Sequence, residues 1–195
     1  MLVNAIKDSC LLILKNEGSD RLTTQRIAEV AGVDIASLYQ YFPNKEAIIA
    51  DVFEDQIERY TDKARERIPE IDKLSRVSLE DALAVIIDME IEQHLMLYRI
   101  DPEFYRVYQS SFDVHHRVNE LTKSLDNPAW DDWFPVFLSM HKEKLRGQDV
   151  EVLGKITSLA LSGVLISAIA EEPELLEQDI FRNELLILLL RYLCI

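Results

Sequence analysis

Between Thr23 and Phe42 a single glycine, Gly32, separates two short runs, TTQRIAEVA and VDIASLYQYF, each with helical spacing. Glycine suits a tight turn because it reaches positive φ without a Cβ clash. Thr23 and Thr24 offer N-caps to the first run. Asp34 offers one to the second, which is read through Leu38 to Phe42, and Pro43 stops it. Two short helices joined by such a turn form a helix-turn-helix. Ile27, Ala28, Ala31, Val33 and Leu38 supply its apolar contacts, and Ala28 and Ala31 are small enough for close approach.

The same punctuation divides the rest of the chain into helices. Only five glycines and six prolines interrupt 195 residues, so long helices are expected. Val3, Ile6, Cys10, Ile13 and Leu14 fall at helical spacing before Gly18. Asn44 caps a long helix that is read to Ile68, before Pro69. Ser78 with Asp81 resembles a capping box and opens a helix toward Tyr98. Further helices are read at 103–124, 129–146, 149–170 and 174–193, with Pro102, Pro128 and Pro173 at or near their starts. Nothing calls for a sheet, so the fold class is all-α with about nine helices.

Charge divides the chain unevenly. The total is −14, which by itself argues against nucleic acid. Residues 1–50 hold five basic and six acidic side chains, a net of −1, leaving 16 basic and 29 acidic, or −13, for 51–195. With 48% hydrophobic residues the chain can build a core. Cys10 and Cys194 lie at opposite ends with no metal-ligand spacing and read as reduced thiols. The apolar run Cys10 to Leu14 is too short for a secretory signal. The charge-free run Ile156 to Ala170 and the run Leu185 to Leu190 fall short of the roughly 20 residues that span a bilayer. A cytoplasmic protein is the resulting expectation.

The helix-turn-helix run resembles the N-terminal DNA-binding domain of the TetR family of bacterial transcriptional regulators. The resemblance rests on Thr24, Ile27-Ala28, Ala31-Gly32-Val33, Leu38-Tyr39, Tyr41-Phe42, Pro43 and Lys45, about a quarter of the chain. It implies a three-helix DNA-binding domain at 1–46. It also implies a larger helical effector-binding and dimerisation domain at 47–195. Two departures stand out. Asp34 occupies a position where the family usually has serine, and MLVNAIKDS offers only Lys7 where many members carry a basic arm.

A recognition helix from Ile35 to Tyr41 can lie in the major groove. Gln40 is the best base reader, because an amide can both donate to and accept from adenine, and Ser37 is a second. Tyr39 and Tyr41 can donate to phosphate. Thr23, Thr24, Gln25 and the amides opening their helix can also hold phosphate. Arg26 is read as one mobile charge, and Lys45 adds its ammonium to a helix N-terminus. The bland alternatives are a core aromatic for Tyr39 and a solvated amide for Gln40.

In the larger domain the apolar run 156–170 is hydrophobic nearly all round, which calls for burial on both sides. Ser162, Gly163 and Ser167 permit close helix approach. By the resemblance, the last two helices pair with their two-fold mates in a homodimer, with Ile156, Leu159, Gly163, Ile166, Leu186, Leu189 and Leu190 at the interface. A monomer with a well-buried core is the alternative. The candidate effector pocket mixes apolar bulk with polar tips at Met89, Gln93, His94, Tyr98, Phe104, Tyr105, Tyr108, Phe112, Trp130, Trp133, Phe134 and Phe137. Each of these is also an ordinary core residue type. His115 and His116 point to different sides of a helix and read as surface residues.

An enzyme finds little support, for there is no HExxH, phosphate-cradling glycine loop or GxSxG. Glu90 with His94 is spaced i,i+4, not the i,i+3 of a helical di-iron site, and has no second copy. No cofactor or metal is called for. The expected function is a ligand-responsive, sequence-specific regulator, most simply a repressor released from a palindromic operator by a small molecule. A non-enzymatic dimeric helical adaptor, or an activator without ligand-controlled repression, is the alternative.

Overall fold

A computed structural model of the chain describes residues 2–111, 130–147 and 149–194, apart from the side chains of Ile68, 107–111 and 130–132. Phe112, His115 and His116 lie outside the described residues, as do the side chains of Tyr108 and Trp130. The described residues form nine α-helices and no strand. These are α1 (Leu2–Glu17), α2 (Thr24–Ala31), α3 (Ile35–Tyr39), α4 (Lys45–Ser75), α5 (Leu79–Tyr98), α6 (Pro102–Ser111), α7 (Trp130–Ser139), α8 (Val150–Glu171) and α9 (Asp179–Leu193). The all-α reading holds.

The chain divides into two compact units. The first holds the described residues of Met1–Arg59 and Met96–Asp113, and the second those of Tyr60–Leu95 and Val114–Ile195. This packing division differs from the motif-based one at residue 46.

In the first unit, local chemistry sets the helix ends. The Thr23 side chain accepts from the Arg26 amide at 3.0 Å, and Asp34 accepts from that of Ala36 at 2.8 Å. Each satisfies an amide that lacks an intrahelical partner. Asn44 does the same for Ala47 at 2.8 Å. Gly18 and Gly32 end their helices at φ 84° and 67°, the region where a Cβ is costly. Helix α3 stops at Tyr39, and Gln40 and Tyr41 form a turn, so the recognition helix is shorter than the sequence reading.

Ile6, Cys10 and Ile13 of α1 are buried, as are Ile27, Ala28, Leu38 and Phe42 and a row along the start of α4 from Ile48 to Ile57. Phe104 meets Phe53 edge-on at 5.1 Å, and Tyr105 meets Tyr98 at 6.1 Å. Burial, with Asp101 nearby, pushes the Cys10 thiol up to about 12, so it stays protonated and unreactive. Lys7 bridges Asp51 and Asp55 at 3.2 and 2.7 Å, tying α1 to α4. Burial lowers its pKa, but the two carboxylates outweigh that and hold it above the ordinary lysine value.

Helix α4 continues through Pro69 to Ser75, correcting the stop read at Ile68. A proline inside a helix removes one ladder bond but does not compel termination. Its last carbonyl, Ser75, accepts from His141 Nε2 at 2.6 Å in the second unit. There the Tyr60 hydroxyl donates to the Met89 carbonyl at 2.5 Å. Arg182 of α9 grips Asp88 of α5 through two nitrogens, one contact at 2.7 Å.

Helix α7 ends at Ser139, short of the 129–146 reading. The Arg146 amide bonds to the Leu193 carbonyl at 2.9 Å, Leu145 bridges to Cys194, and Arg146 lies 4.2 Å over the Tyr192 ring. That pairing with the end of α9 draws residues 145–146 out of helix. Residues Pro173–Glu177 form a separate 3-10 turn before α9.

Helix α8 is capped by Asp149, which accepts from Val152 at 3.0 Å. It packs on α7 and α9. Gly154 is buried where a Cβ would meet Phe134 and Leu138 at 3.5 Å. With 22 residues and a mean hydropathy of 1.8 in its best window, α8 is long and apolar enough to cross a membrane. That exceeds the limit read from its charge-free run alone. Leu153, Leu161, Leu165 and Ile169 are instead spent on the protein core.

Candidate functional site

The three short segments α2, turn and α3 present a polar surface over an apolar base. Ile27 and Leu38 are fully buried and Phe42 nearly so, while Tyr39 and Tyr41 are 51% and 55% exposed. Gln25 and Gln40 are exposed, Ser37 half-buried, and Lys45 half-buried at the first turn of α4. Every one of the nine candidate DNA-contacting residues therefore lies in the first unit, on α2, on α3 and the turn after it, or at the N-termini of α2 and α4.

Three of these side chains have partners that the sequence did not reveal. Thr24 Oγ1 and the Tyr39 hydroxyl are 2.9 Å apart, so the start of α2 and the end of α3 share a hydrogen bond. A hydroxyl pair of this kind retains acceptor and donor capacity for one further group, such as a phosphate oxygen. The Thr23 hydroxyl serves as an N-cap acceptor, which leaves its proton free to donate.

Arg26 is the larger correction, because it is not a mobile charge. Its Nη2 and Nε meet the two oxygens of Glu17 at 2.8 and 3.2 Å, and Nη1 meets Glu29 at 3.0 Å. Hydrogen bonds to Glu17 and Glu29 raise the arginine pKa, and the same Glu17 bond lowers that of the carboxyl. Lys7, the one cation of the opening segment, is likewise engaged by Asp51 and Asp55. Sequence spacing could have flagged Glu29, at i+3 from Arg26. It gave no sign of Glu17, on another helix.

The candidate pocket residues separate between the units. Phe104 and the fully buried Tyr105 belong to the first, in the aromatic contacts described above. Met89, Gln93, His94, Trp133, Phe134 and Phe137 belong to the second. There Trp133 stacks on Phe137 at 5.2 Å, and Phe137 meets His141 edge-on at 5.7 Å. Gln93 and His94 are buried. A small cavity of about 10 Å³ is lined by Phe134 with Leu83, Ile86, Glu90, Thr157 and Leu189, space for a single water. A shallow groove of about 500 Å³ runs between α7 and α8 beside Phe134, Glu151, Gly154 and Lys155. Among the described residues no group of three or more His, Cys, Asp or Glu converges on a metal position.

The apolar helices expose a continuous face. On α8, Val152, Ile156, Leu159 and Ile166 are 52%, 43%, 62% and 39% exposed, and Gly163 lies open with nothing within 4 Å of its Cβ position. Spacings of 4, 3, 4 and 3 along 152, 156, 159, 163 and 166 form one helical stripe. On α9 the exposed apolar residues are Ile180, Ile187 and Leu188. Leu189 is 1% exposed, inside the protomer core, and Leu186 and Leu190 are half-buried. The outward face of α9 is thus turned from the one read in sequence, and Leu189 offers nothing to a partner.

A helix-turn-helix with a polar outer face, among described residues that form no strand, is the arrangement that one class uses: the DNA-binding regulators. Within it, residues 13–52 match the family described as bacterial regulatory proteins, tetR family. That match covers the run 23–45 whose residues carried the resemblance.

Among curated relatives, the fatty acid metabolism regulator protein of Bacillus subtilis is 24% identical over 127 residues, covering 63% of this chain and 61% of that protein. The nucleoid occlusion factor SlmA of Vibrio cholerae is 37% identical over 73 residues, 35% of each chain. The chain thus aligns with less than two thirds of either relative's length. The crystal structure of the regulator FadR from Bacillus subtilis in complex with stearoyl-CoA aligns with a TM-score of 0.54 at 17% identity, over 97% of this chain and 98% of that one. At that identity the likeness is one of fold.

Proposed function

We propose that the chain is a homodimeric, ligand-responsive transcriptional regulator of the bacterial cytoplasm, without enzymatic activity. In this reading it is a repressor released from a palindromic operator by a small molecule. The observation that carries the reading is the helix-turn-helix with its exposed Tyr39, Gln40 and Tyr41 above buried Ile27, Leu38 and Phe42, in a segment matching the tetR family. Gln40 and Ser37 read base edges, and Thr23, Thr24, Gln25, Tyr39, Tyr41 and Lys45 hold phosphate. The exposed stripe on α8 supports a two-fold partner, with Ile180, Ile187 and Leu188 of α9 replacing Leu189. A dimer sets two recognition helices about 34–36 Å apart, the spacing of one DNA turn.

The effector site lies in the second unit, around Phe134 and the residues that line its cavity. That cavity has room for one water only, so a larger molecule must move side chains there, and movement is what an effector needs to shift an equilibrium. A coupling of about 1–3 kcal/mol changes DNA affinity roughly 5- to 150-fold. The relative bound to stearoyl-CoA makes that compound the first effector to assay.

Recovery of genomic fragments by the purified protein tests the reading. The expected result is a palindromic site whose retention is lost in Gln40→Ala with the helical circular dichroism unchanged. Failure to retain any DNA would turn the reading toward a helical adaptor.

A further inference from the structure

Arg26 sits one turn inside α2, next to Thr23 and Thr24, where a phosphate would be held. A lone arginine there is the most effective phosphate ligand a protein can offer, because its fork binds oxygen pairs. In this chain both sides of the fork are already occupied. Glu17 takes Nε and Nη2 from α1, and Glu29 takes Nη1 from the next turn of α2. Two carboxylates around one guanidinium leave the cluster with a net charge of −1. An approaching phosphate therefore meets repulsion, and it must break a bidentate pair to reach the arginine.

We infer that Glu17 and Glu29 are specificity determinants that withhold Arg26 from the DNA backbone. They lower sequence-independent affinity, while base reading by Gln40 and neutral phosphate contacts stay intact. The inference rests on the DNA-binding reading above. Sequence-independent binding is almost wholly electrostatic, and each phosphate-neutralising cation adds about 0.9 to the slope of log affinity against log salt. Removing one cation from contact in each protomer flattens that slope by about 2 per dimer. Discrimination against random DNA rises accordingly. Arg26 then acts as a brace between α1 and α2, and its carboxylate partners set how strongly the domain clings to any duplex.

The test uses full-length protein and two probes, a genomic fragment that it retains and a random-sequence duplex. Affinities are measured across salt for the parent, Glu29→Gln, Glu17→Gln/Glu29→Gln and Arg26→Gln. Glu29 is well exposed, so its single variant is safe for folding, and thermal melts check the others. The expected result is tighter random-duplex binding in both glutamate variants, with a slope steeper by about 2 per dimer in the double variant. Arg26→Gln is expected to keep the parent slope. A parent slope that flattens by about 2 in Arg26→Gln shows that Arg26 already touches phosphate and overturns the inference. Unchanged slopes in the glutamate variants overturn it too. A parent that retains no DNA at all removes the DNA-binding reading and this inference together, and that outcome is distinct from the others.

Discussion

At the scale of single residues, the turn of the helix-turn-helix depends on Gly32. Its φ of 67° lies in the left-handed region, and nothing crowds its Cβ position. The cost of a side chain there is therefore conformational and not steric. Gly32→Ala is expected to lose about 1–2 kcal/mol of stability, read as a lower melting temperature. An unchanged melt would show that the turn relaxes at no cost.

Asp34 allows the opposite experiment. Its carboxylate caps α3, but serine caps about as well and carries no charge. Asp34→Ser is expected to hold stability within about 0.5 kcal/mol while tightening DNA binding, since one anion per protomer leaves the phosphate-facing side. Weaker binding would place Asp34 in a direct contact, such as one with a cytosine amine.

The caps at Thr23, Asp34, Asn44 and Ser78 and the turn at Gly32 were legible in sequence because each acts on its immediate neighbours. The state of Arg26 was not. Its main partner, Glu17, precedes it by nine residues and a turn, and only the packing of α1 on α2 brings them together.

At the scale of elements, the same distinction decides which helices read correctly. Helices α2, α5 and α8 begin and end within a residue or so of their sequence bounds, because their caps are local. Helix α4 runs past Pro69, since one missing ladder bond does not outweigh the packing of the rest. Helix α7 stops at Ser139, and Leu145 and Arg146, read as its last residues, pair instead with the far end of α9, about fifty residues away. The facing of α9 was also hidden. A helix with Leu at nearly every position from 185 to 190 has no polar side to mark its outward face.

Once that face is known, the dimer becomes testable by single charges. Leu159 is the most exposed member of the α8 stripe, at 62%, so a change there leaves the protomer core intact. Leu159→Lys is expected to shift the chain from dimer to monomer in sedimentation with its helical content preserved, because it places an unpaired ammonium at an apolar contact. DNA retention should fall with it, as two half-sites are no longer held together. A Leu189→Ala control is expected to cost about 2–5 kcal/mol of protomer stability, as cavity formation does. A fully dimeric Leu159→Lys would move the interface elsewhere.

At the scale of the whole molecule, the proposed DNA-binding function requires the charge of −14 to coexist with a polyanionic partner. The distribution eases the conflict, because residues 51–195 carry −13 of it. The structure tightens the account further. Of the five basic residues in 1–50, Lys7 is engaged by Asp51 and Asp55, and Arg26 by Glu17 and Glu29. Lys15, Arg21 and Lys45 are left, three per protomer and six per dimer. If all six neutralise a phosphate, the slope of log affinity against log salt is about −5, from roughly 0.9 per contact. That value is a ceiling on steepness, since Lys15 and Arg21 flank the motif and need not reach the backbone. The protein should therefore hold its operator through neutral donors (hydroxyls, amides and helix N-termini) that release no counterions. Titrations of the retained genomic fragment between about 50 and 200 mM salt measure the slope directly. A value between about −2 and −5 is expected, and Lys45→Gln should flatten it by about 2 per dimer. A slope steeper than about −6 would mean that cations beyond these three reach the DNA, and Arg26 would be the first to test, because its two carboxylates could exchange for phosphate.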